Sequence, residues 1–103
     1  MDFSLALPGQ VTLSGPTGGL STNQPTYSWS AVPDATWYSL YVNGPSGNVI
    51  KQWYSSAEAN CTETSCSVIP TTVLEAGAHR WWVQTYNSAG YGPWSEEVSF
   101  TVP

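Results

Sequence analysis

Charged side chains are scarce in this sequence. They make up 9% of its 103 residues, whereas an average domain carries about 25%. Only Lys51 and Arg80 are cationic, and the formal net charge is −5. Two cations cannot follow a phosphate backbone or hold an anionic lipid surface, so we expect neither nucleic acid nor a charged membrane as a partner.

Long apolar runs are absent as well. No segment approaches the roughly 20 apolar residues that a bilayer-spanning helix needs, so we expect no membrane insertion. Residues 1–8 lack the basic flank and the apolar stretch of a signal peptide. We interpret residues 1–103 as a single monomeric domain, with its core at about 10–102, excised from a longer secreted protein.

Groups for catalysis are equally few. His79 is the only histidine, and a general base needs a nucleophile and an orienting partner beside it. Adjacent residues of a strand point to opposite faces, so Glu96 and Glu97 cannot form the facing carboxylate pair of a glycosidase. No glycine-rich phosphate loop is present. The sequence therefore predicts a domain that is not an enzyme and that needs no cofactor.

The two cysteines, Cys61 and Cys66, lie five positions apart. In a chain of secreted composition such a pair predicts a disulfide and a secreted or cell-surface location. The alternative is a redox or metal pair, but a metal ion needs about four ligands, so we expect no metal. Asn60, Cys61 and Thr62 also match the N-glycosylation triplet, which matters only in a eukaryotic secretory pathway.

What the sequence does contain is a series of short runs rich in β-branched and aromatic residues, separated by turns with glycine and proline. This spacing is typical of an antiparallel β-sandwich. We predict seven strands, with a six-residue loop at 43–48 between the third and the fourth. The strands are predicted at 10–13, 27–30, 37–42, 49–54, 66–69, 79–86 and 98–102.

Alternation within these runs predicts which side chains face the core. Large apolar residues alternate with small or polar ones, so one set in each run is expected to point inward. That inward set is Tyr27, Trp29, Tyr38, Leu40, Val42, His79, Trp81, Val83, Thr85, Val98, Phe100 and Val102.

Several landmarks follow one another in a familiar order. They are Pro-Thr-Tyr-x-Trp at 25–29, Leu-x-x-Gly at 74–77 and Asn-x-x-Gly at 87–90. From about Pro16 to Val102 the chain resembles a fibronectin type III domain. The resemblance implies an all-β, seven-stranded antiparallel sandwich of the immunoglobulin-like superfold, with a core tryptophan on its second strand. The Trp-rich version with a cysteine pair resembles modules attached to secreted bacterial polysaccharide-acting enzymes and surface proteins.

One position departs from that family. Fibronectin type III domains usually carry a tyrosine at the start of the sixth strand, whose hydroxyl ties down the adjacent corner, and His79 stands there in this sequence. Either His79 makes a similar hydrogen bond or the corner is held otherwise. An immunoglobulin domain is rejected, because Cys61 and Cys66 are too close in sequence to join two strands across the core.

The chain has more aromatic residues than the core can take, with six tryptophans and six tyrosines. Two predicted strands, 37–42 and 79–86, are neighbours in one sheet of this fold, so their outward side chains share one face. We predict a flat row of rings there that binds sugar by stacking, with polar side chains orienting the ligand. The predicted site is Trp37, Tyr41, Trp82, Tyr86, Arg80 and Gln84. A one-residue uncertainty in register leaves open whether Trp53 or Tyr54 joins it.

Two other interpretations of these rings remain. Trp82 and Trp94 can enclose Arg80 in a cation–π stack, as in cytokine-receptor domains, which residues 92–95 resemble. A neighbouring domain of the parent protein can also cover the face.

The leading functional hypothesis is a non-catalytic accessory module of a secreted, bacterial, polysaccharide-acting protein. It would space or dock other units, with polysaccharide or a neighbouring domain as its partner. The alternative is an adhesive or receptor-like protein–protein interaction domain that uses the same face or a strand edge. Fold alone does not decide between them.

Overall fold

The computed structural model describes residues 7–103. The first six residues of the predicted domain, 1–6, lie outside that range. Within it the chain forms strands and turns only, and no helix is long and apolar enough to cross a membrane. The strands are β1 Leu13–Gly15, β2 Gly18–Gly19, β3 Tyr27–Ser30, β4 Trp37–Gly44, β5 Gly47–Ser55, β6 Ser65–Val68, β7 Gly77–Asn87, β8 Gly90–Trp94 and β9 Val98–Val102.

The strands form two sheets. The smaller has the order β1-β3-β6, and the larger has the order β2-β9-β7-β4-β5, with β8 paired to β7. All pairings are antiparallel except that of β2 with β9, which is parallel. The predicted all-β sandwich is confirmed.

The strand count differs from the prediction for two reasons. The first predicted strand, 10–13, is replaced by β1 and β2, which lie on either side of Pro16 and belong to different sheets. Proline has no N–H to donate, so the ladder of β1 stops there and the chain crosses to the other sheet. The second difference is β8, an additional short strand on the edge of β7.

The predicted six-residue loop at 43–48 is wrong. β4 and β5 continue to Gly44 and Gly47, which leaves a two-residue turn between them. Gly47 has a φ of 119°, a value that side chains disfavour and a tight hairpin needs. The Asn48 amide closes the hairpin by donating to the carbonyls of Val42 and Ile50, at 3.0 and 2.9 Å.

The core lies between the two sheets. Every residue that alternation placed inward is buried, except Val98, which is half-buried. Tyr27 and Trp29 of the small sheet meet Trp81 and Tyr38 of the large one, with ring centroids 5.1 and 5.6 Å apart. Full burial of a large apolar side chain contributes about 1.5–3 kcal/mol, so these rings anchor one sheet to the other.

The corner before β7 is held locally. The Nδ1 atom of His79 lies 3.0 Å from the Gly77 carbonyl oxygen and donates a hydrogen bond to it in the tautomer that carries its proton on Nδ1. The imidazole stacks on Phe100 with 5.1 Å between centroids and 7° between planes. His79 thus takes a structural role within its own strand, unlike the longer tie expected of a tyrosine.

The predicted disulfide between Cys61 and Cys66 is confirmed. It closes the loop that leads from β5 into β6, with 4.0 Å between the Cα atoms. Cys66 is buried against the core, so the bridge ties an exposed loop to the packed interior.

Candidate functional site

The outer surface of the large sheet carries the predicted site residues. In the β4–β7 register, Trp37 lies opposite Tyr86 and Tyr41 lies opposite Trp82. Side chains directly opposite in an antiparallel pair share one face. The structure therefore brings the predicted side chains to one surface, which we call the aromatic face. Its predicted members are Trp37, Tyr41, Arg80, Trp82, Gln84 and Tyr86.

The register of β5 decides the residue that the sequence left open. Trp53 lies opposite Ser39 and joins the aromatic face, where its ring is 6.1 Å from Tyr86 and 5.9 Å from Tyr91. Tyr54 packs against the core from the other side of the sheet, and burial raises the pKa of its phenol.

β8 adds Tyr91 and Trp94, and sequence reasoning did not predict this strand. Tyr91 lies opposite Tyr86, with 5.1 Å between ring centroids. Gly90, Gly92 and Pro93 argue against a strand at the level of sequence, because glycine and proline are depleted in strand interiors. The sequence signal that could have indicated β8 is the pair Tyr91 and Trp94, two aromatic residues that closely follow the longest predicted strand, 79–86.

The first of two clefts on this face, the Trp53 cleft, is lined by four aromatic side chains. It has a volume of about 300 Å³ and opens to solvent. Its walls are partly exposed, with Trp37 at 40% and Trp53 at 39%. The lining residues are Trp37, Trp53, Tyr86 and Tyr91.

The second, the Trp82 cleft, has a volume of about 370 Å³ and is lined by Tyr41, Trp82, Trp94 and Ser95. The Tyr41 ring stands between the two indoles, 5.8 Å from Trp82 and 6.0 Å from Trp94. Ser95 fixes the end of β8, because the Val83 N–H donates to its hydroxyl oxygen at 3.0 Å.

A polar strip separates the two clefts. Ser39 and Gln84 lie opposite each other across β4 and β7, and the Gln84 amide donates to the Gly92 carbonyl at 3.1 Å. That bond holds the side chain of Gln84 in place and fixes β8 against β7. A groove of about 490 Å³ runs over this strip and touches both clefts. It is lined by Ser39, Tyr41, Lys51, Trp53, Gln84, Tyr91 and Trp94.

The rings do not form the flat row that we expected. Neighbouring ring planes on the face are inclined at 45° to 75°. Twisted strands and close packing set side-chain rotamers that alternation in sequence cannot reveal. The result is a corrugated surface of clefts and ridges rather than a platform.

Arg80 stands at one end of the face. Its Nε atom is 3.8 Å from a Glu97 carboxylate oxygen, in a pair whose side chains are 65% and 48% exposed. Within residues 7–103 no stack of Arg80 between Trp82 and Trp94 is found, and both indoles pack on Tyr41 instead. The cation–π alternative therefore does not account for these rings.

Other chemistry has little support in this part of the chain. Residues 7–103 contain no cluster of three or more histidine, cysteine or carboxylate side chains that could hold a metal ion. His79, whose side chain is fully buried, lies on the opposite side of the sheet from the aromatic face. The face can offer apolar stacking, amide and hydroxyl hydrogen bonds, and two cations.

No family model matches the sequence, and no curated protein matches it either. Solved structures do. The chain is similar to part of a cell-surface-expressed multi-modular chitinase from Paenibacillus sp., with a TM-score of 0.58 and 17% identity over 96% of this chain. An Fn3-like protein from Clostridium thermocellum gives a TM-score of 0.50 and 17% identity, over 95% of this chain and 93% of that one. The fold is a fibronectin type III-like sandwich.

A structure of a myokine also matches, with a TM-score of 0.52, 20% identity and coverage of 97% of this chain and 99% of that one. The chain spans only 8% of the length of the Paenibacillus chitinase. At these identities the likeness establishes the fibronectin type III-like fold, and the use of the aromatic face has to be argued from its own residues.

Proposed function

We propose that this domain is a non-catalytic accessory module of a secreted multidomain protein and that its aromatic face binds carbohydrate. The observation that carries the proposal is the pair of adjoining aromatic clefts on one sheet surface. Exposed aromatic surface of this extent on a small domain usually marks a contact site.

The chemistry of the face suits sugar. Pyranose rings present apolar C–H faces that pack on tryptophan and tyrosine, while their hydroxyls need hydrogen-bond partners. The Trp53 and Trp82 clefts supply the apolar packing surface, and Gln84 in the groove between them supplies a hydrogen-bonding side chain. The Gln84 side chain is already held by its bond to Gly92, so little conformational entropy is lost on binding.

The kind of protein in which a similar fold occurs supports an accessory role. One such fold is a small part of a chitinase that is multi-modular and expressed on the bacterial cell surface. The Cys61–Cys66 disulfide favours an oxidising, extracellular location for this chain, because cytosolic disulfides are rare.

A second function, protein–protein interaction, is favoured by one feature. β5 is nine residues long and ends the large sheet. An unpaired strand edge can add a strand from a partner. This alternative uses the backbone of β5 rather than the rings.

The test is a titration with soluble oligosaccharides and polysaccharides that follows tryptophan fluorescence. We expect a saturable change that weakens about tenfold in Trp53→Ala and in Trp82→Ala, since loss of about 1.4 kcal/mol of ring contact corresponds to that factor. Ile69→Ala is the matched control, because Ile69 is exposed and lies outside both clefts. A flat response across the whole panel, or equal weakening by Ile69→Ala, would contradict carbohydrate binding by this face.

A further inference from the structure

The two cations of the chain both lie on the aromatic face. Lys51 is opposite Tyr41 across β4 and β5, and it lines the groove that touches both clefts. Arg80 is opposite Asn43 across β4 and β7. It lines a second groove, of about 600 Å³, beside Tyr41. In a chain with a net charge of −5, both positive charges therefore adjoin one ring, that of Tyr41.

The carboxylates of residues 7–103 lie elsewhere. None of them lines either cleft or either groove. Glu58 accepts the Ser55 N–H at 2.9 Å in the turn after β5, and Asp34 lies in the turn before β4. Both are at the Trp37 end of the face, whereas Lys51 and Arg80 are at the Tyr41 end. Glu97, in contrast, lies beside Arg80 at the Tyr41 end, so what distinguishes the face is the absence of carboxylates from the lining of its clefts and grooves.

Among residues 7–103, Glu97 is the one carboxylate that forms an ion pair with Arg80. The pair is long, at 3.8 Å, and both side chains are largely exposed. Exposed pairs of this kind contribute little and exchange partners readily. Arg80 can therefore turn its guanidinium from Glu97 to a carboxylate on a ligand, which it can hold by two parallel hydrogen bonds.

The inclination of the rings limits the shape of the ligand. Planes that meet at 45° to 75° cannot lie together on the flat surface of a packed polysaccharide. They can enclose single sugar residues in the two clefts. The distance from Trp37 to Tyr41, four residues along β4, is about 13 Å, so a ligand that fills both clefts is an extended chain of several sugars.

We propose that the ligand of this face is a single acidic glycan chain whose sugar carboxylates are bound by Lys51 and Arg80. This proposal rests on the carbohydrate-binding function above and adds the charge and the form of the ligand. Stacking in the clefts supplies affinity that is independent of charge, and the two cations select carboxylated sugars over neutral ones.

The experiment uses the intact domain and pairs of soluble oligosaccharides that share a backbone and differ in charge. Suitable pairs are β-1,4-glucan and β-1,4-glucuronan, β-1,4-mannan and β-1,4-mannuronan, and methyl-esterified and free polygalacturonate. Affinity is measured by calorimetry at low salt and again at higher salt. We expect the acidic member of at least one pair to bind about fivefold or more tightly than the neutral member. Screening should reduce that preference as salt is added.

Charge variants test whether Lys51 and Arg80 cause the preference for the acidic glycan. Lys51→Gln and Arg80→Gln should each lower affinity for the acidic glycan about fivefold and lower affinity for the neutral glycan by a smaller factor, so that the ratio of the two affinities falls. Glu97→Gln, which releases Arg80, should raise affinity for the acidic glycan. Its control is Glu63→Gln, the same change in net charge made in the disulfide loop. At physiological ionic strength the control should have a much smaller effect, because surface charges are then screened beyond about 8 Å.

The outcomes separate the two proposals. Equal or tighter binding of the neutral members would overturn the acidic ligand and leave carbohydrate binding intact. Absence of binding to every oligosaccharide would overturn both. Equal effects of Glu97→Gln and Glu63→Gln would also overturn the proposal, since the preference would then follow net charge and not the two named cations.

Discussion

The indole nitrogen of Trp81 donates a hydrogen bond of 3.0 Å to the carbonyl oxygen of Pro16, 65 positions earlier in the chain. This contact joins the centre of β7 to the segment between β1 and β2, where the chain passes from the small sheet to the large one. Both residues are buried, so neither group can turn to water instead.

Loss of that bond should be measurable against a matched variant. Trp29 is also fully buried, but its Nε1 atom has no hydrogen-bond partner in the described part of the chain. Trp81→Phe leaves the Pro16 carbonyl unpaired, so we expect it to lower the free energy of unfolding by about 1–3 kcal/mol more than Trp29→Phe. Urea denaturation of both variants gives the difference, and equal values would contradict the role of the bond.

Ser95 should stabilise the junction of β8 and β9. Its hydroxyl oxygen accepts the Val83 N–H at 3.0 Å, and its own hydroxyl donates to the Glu96 carbonyl at 3.1 Å. Ser95→Ala leaves a buried N–H without an acceptor, so we expect a loss of about 1–3 kcal/mol. Ser99→Ala, on exposed β9 surface, is the control and should change stability by about 0.5 kcal/mol or less. Thermal unfolding compares the two.

The disulfide should contribute modestly to stability. The loop between Cys61 and Cys66 is short, and closing so small a ring removes only about 2 kcal/mol of chain entropy from the unfolded state. The double variant Cys61→Ala, Cys66→Ala should therefore fold, with a Tm lower by roughly 8–16 °C. Calorimetry checks this. Complete unfolding at room temperature would show that the bridge holds far more of the fold than its loop length implies.

Stability should fall above about pH 10 because of buried phenols. Burial raises the pKa of Tyr27, Tyr38 and Tyr54. Above the unfolded value of about 10, the unfolded chain has lost phenol protons that the folded chain still holds. The stability that these groups confer is thus complete below pH 10 and declines as the pH rises toward the folded pKa.

Tyr27→Phe tests this dependence on pH. The Tyr27 hydroxyl is buried and has no hydrogen-bond partner among the described residues, so its removal should cost little at pH 7 and can be stabilising. Between pH 9 and 11 the urea midpoint of Tyr27→Phe should fall less steeply than that of the parent protein. Parallel curves for the two proteins would exclude Tyr27 as a source of the slope.

Alternation in sequence was enough to find the sandwich, its inward side chains and the outward pairs of β4 and β7. It succeeded because a register with a period of two is strictly imposed wherever one face of a strand is buried. Trp37 and Tyr86 could be assigned to one surface for that reason, and the Cys61–Cys66 bridge followed from spacing and compartment.

The formation of β8 and the inclination of the rings could not be predicted, because they depend on contacts between strands. β8 exists because β7 supplies its partners, through the bonds of Gln84 to Gly92 and of Ser95 to Val83. Its own residues have poor strand propensity. Tyr91 was missed for that reason. The inclination of Trp53 and Trp94 follows from how each indole packs on its neighbours, which only the assembled sheet determines.

The positions of Gly9 and Val102 along β7 bear on how such domains could be joined in a longer protein. The Thr85 hydroxyl donates to the Gly9 carbonyl, whereas Val102 pairs with Gly77 at the other end of β7. Those two positions on β7 are about 26 Å apart. Gly9 and Val102 therefore lie toward opposite ends of the sandwich. Copies joined through these two ends would line up as a rod with each aromatic face on its flank. If the face binds glycan as proposed, one long polymer could then contact several copies at once, and weak individual contacts would add up to firm attachment.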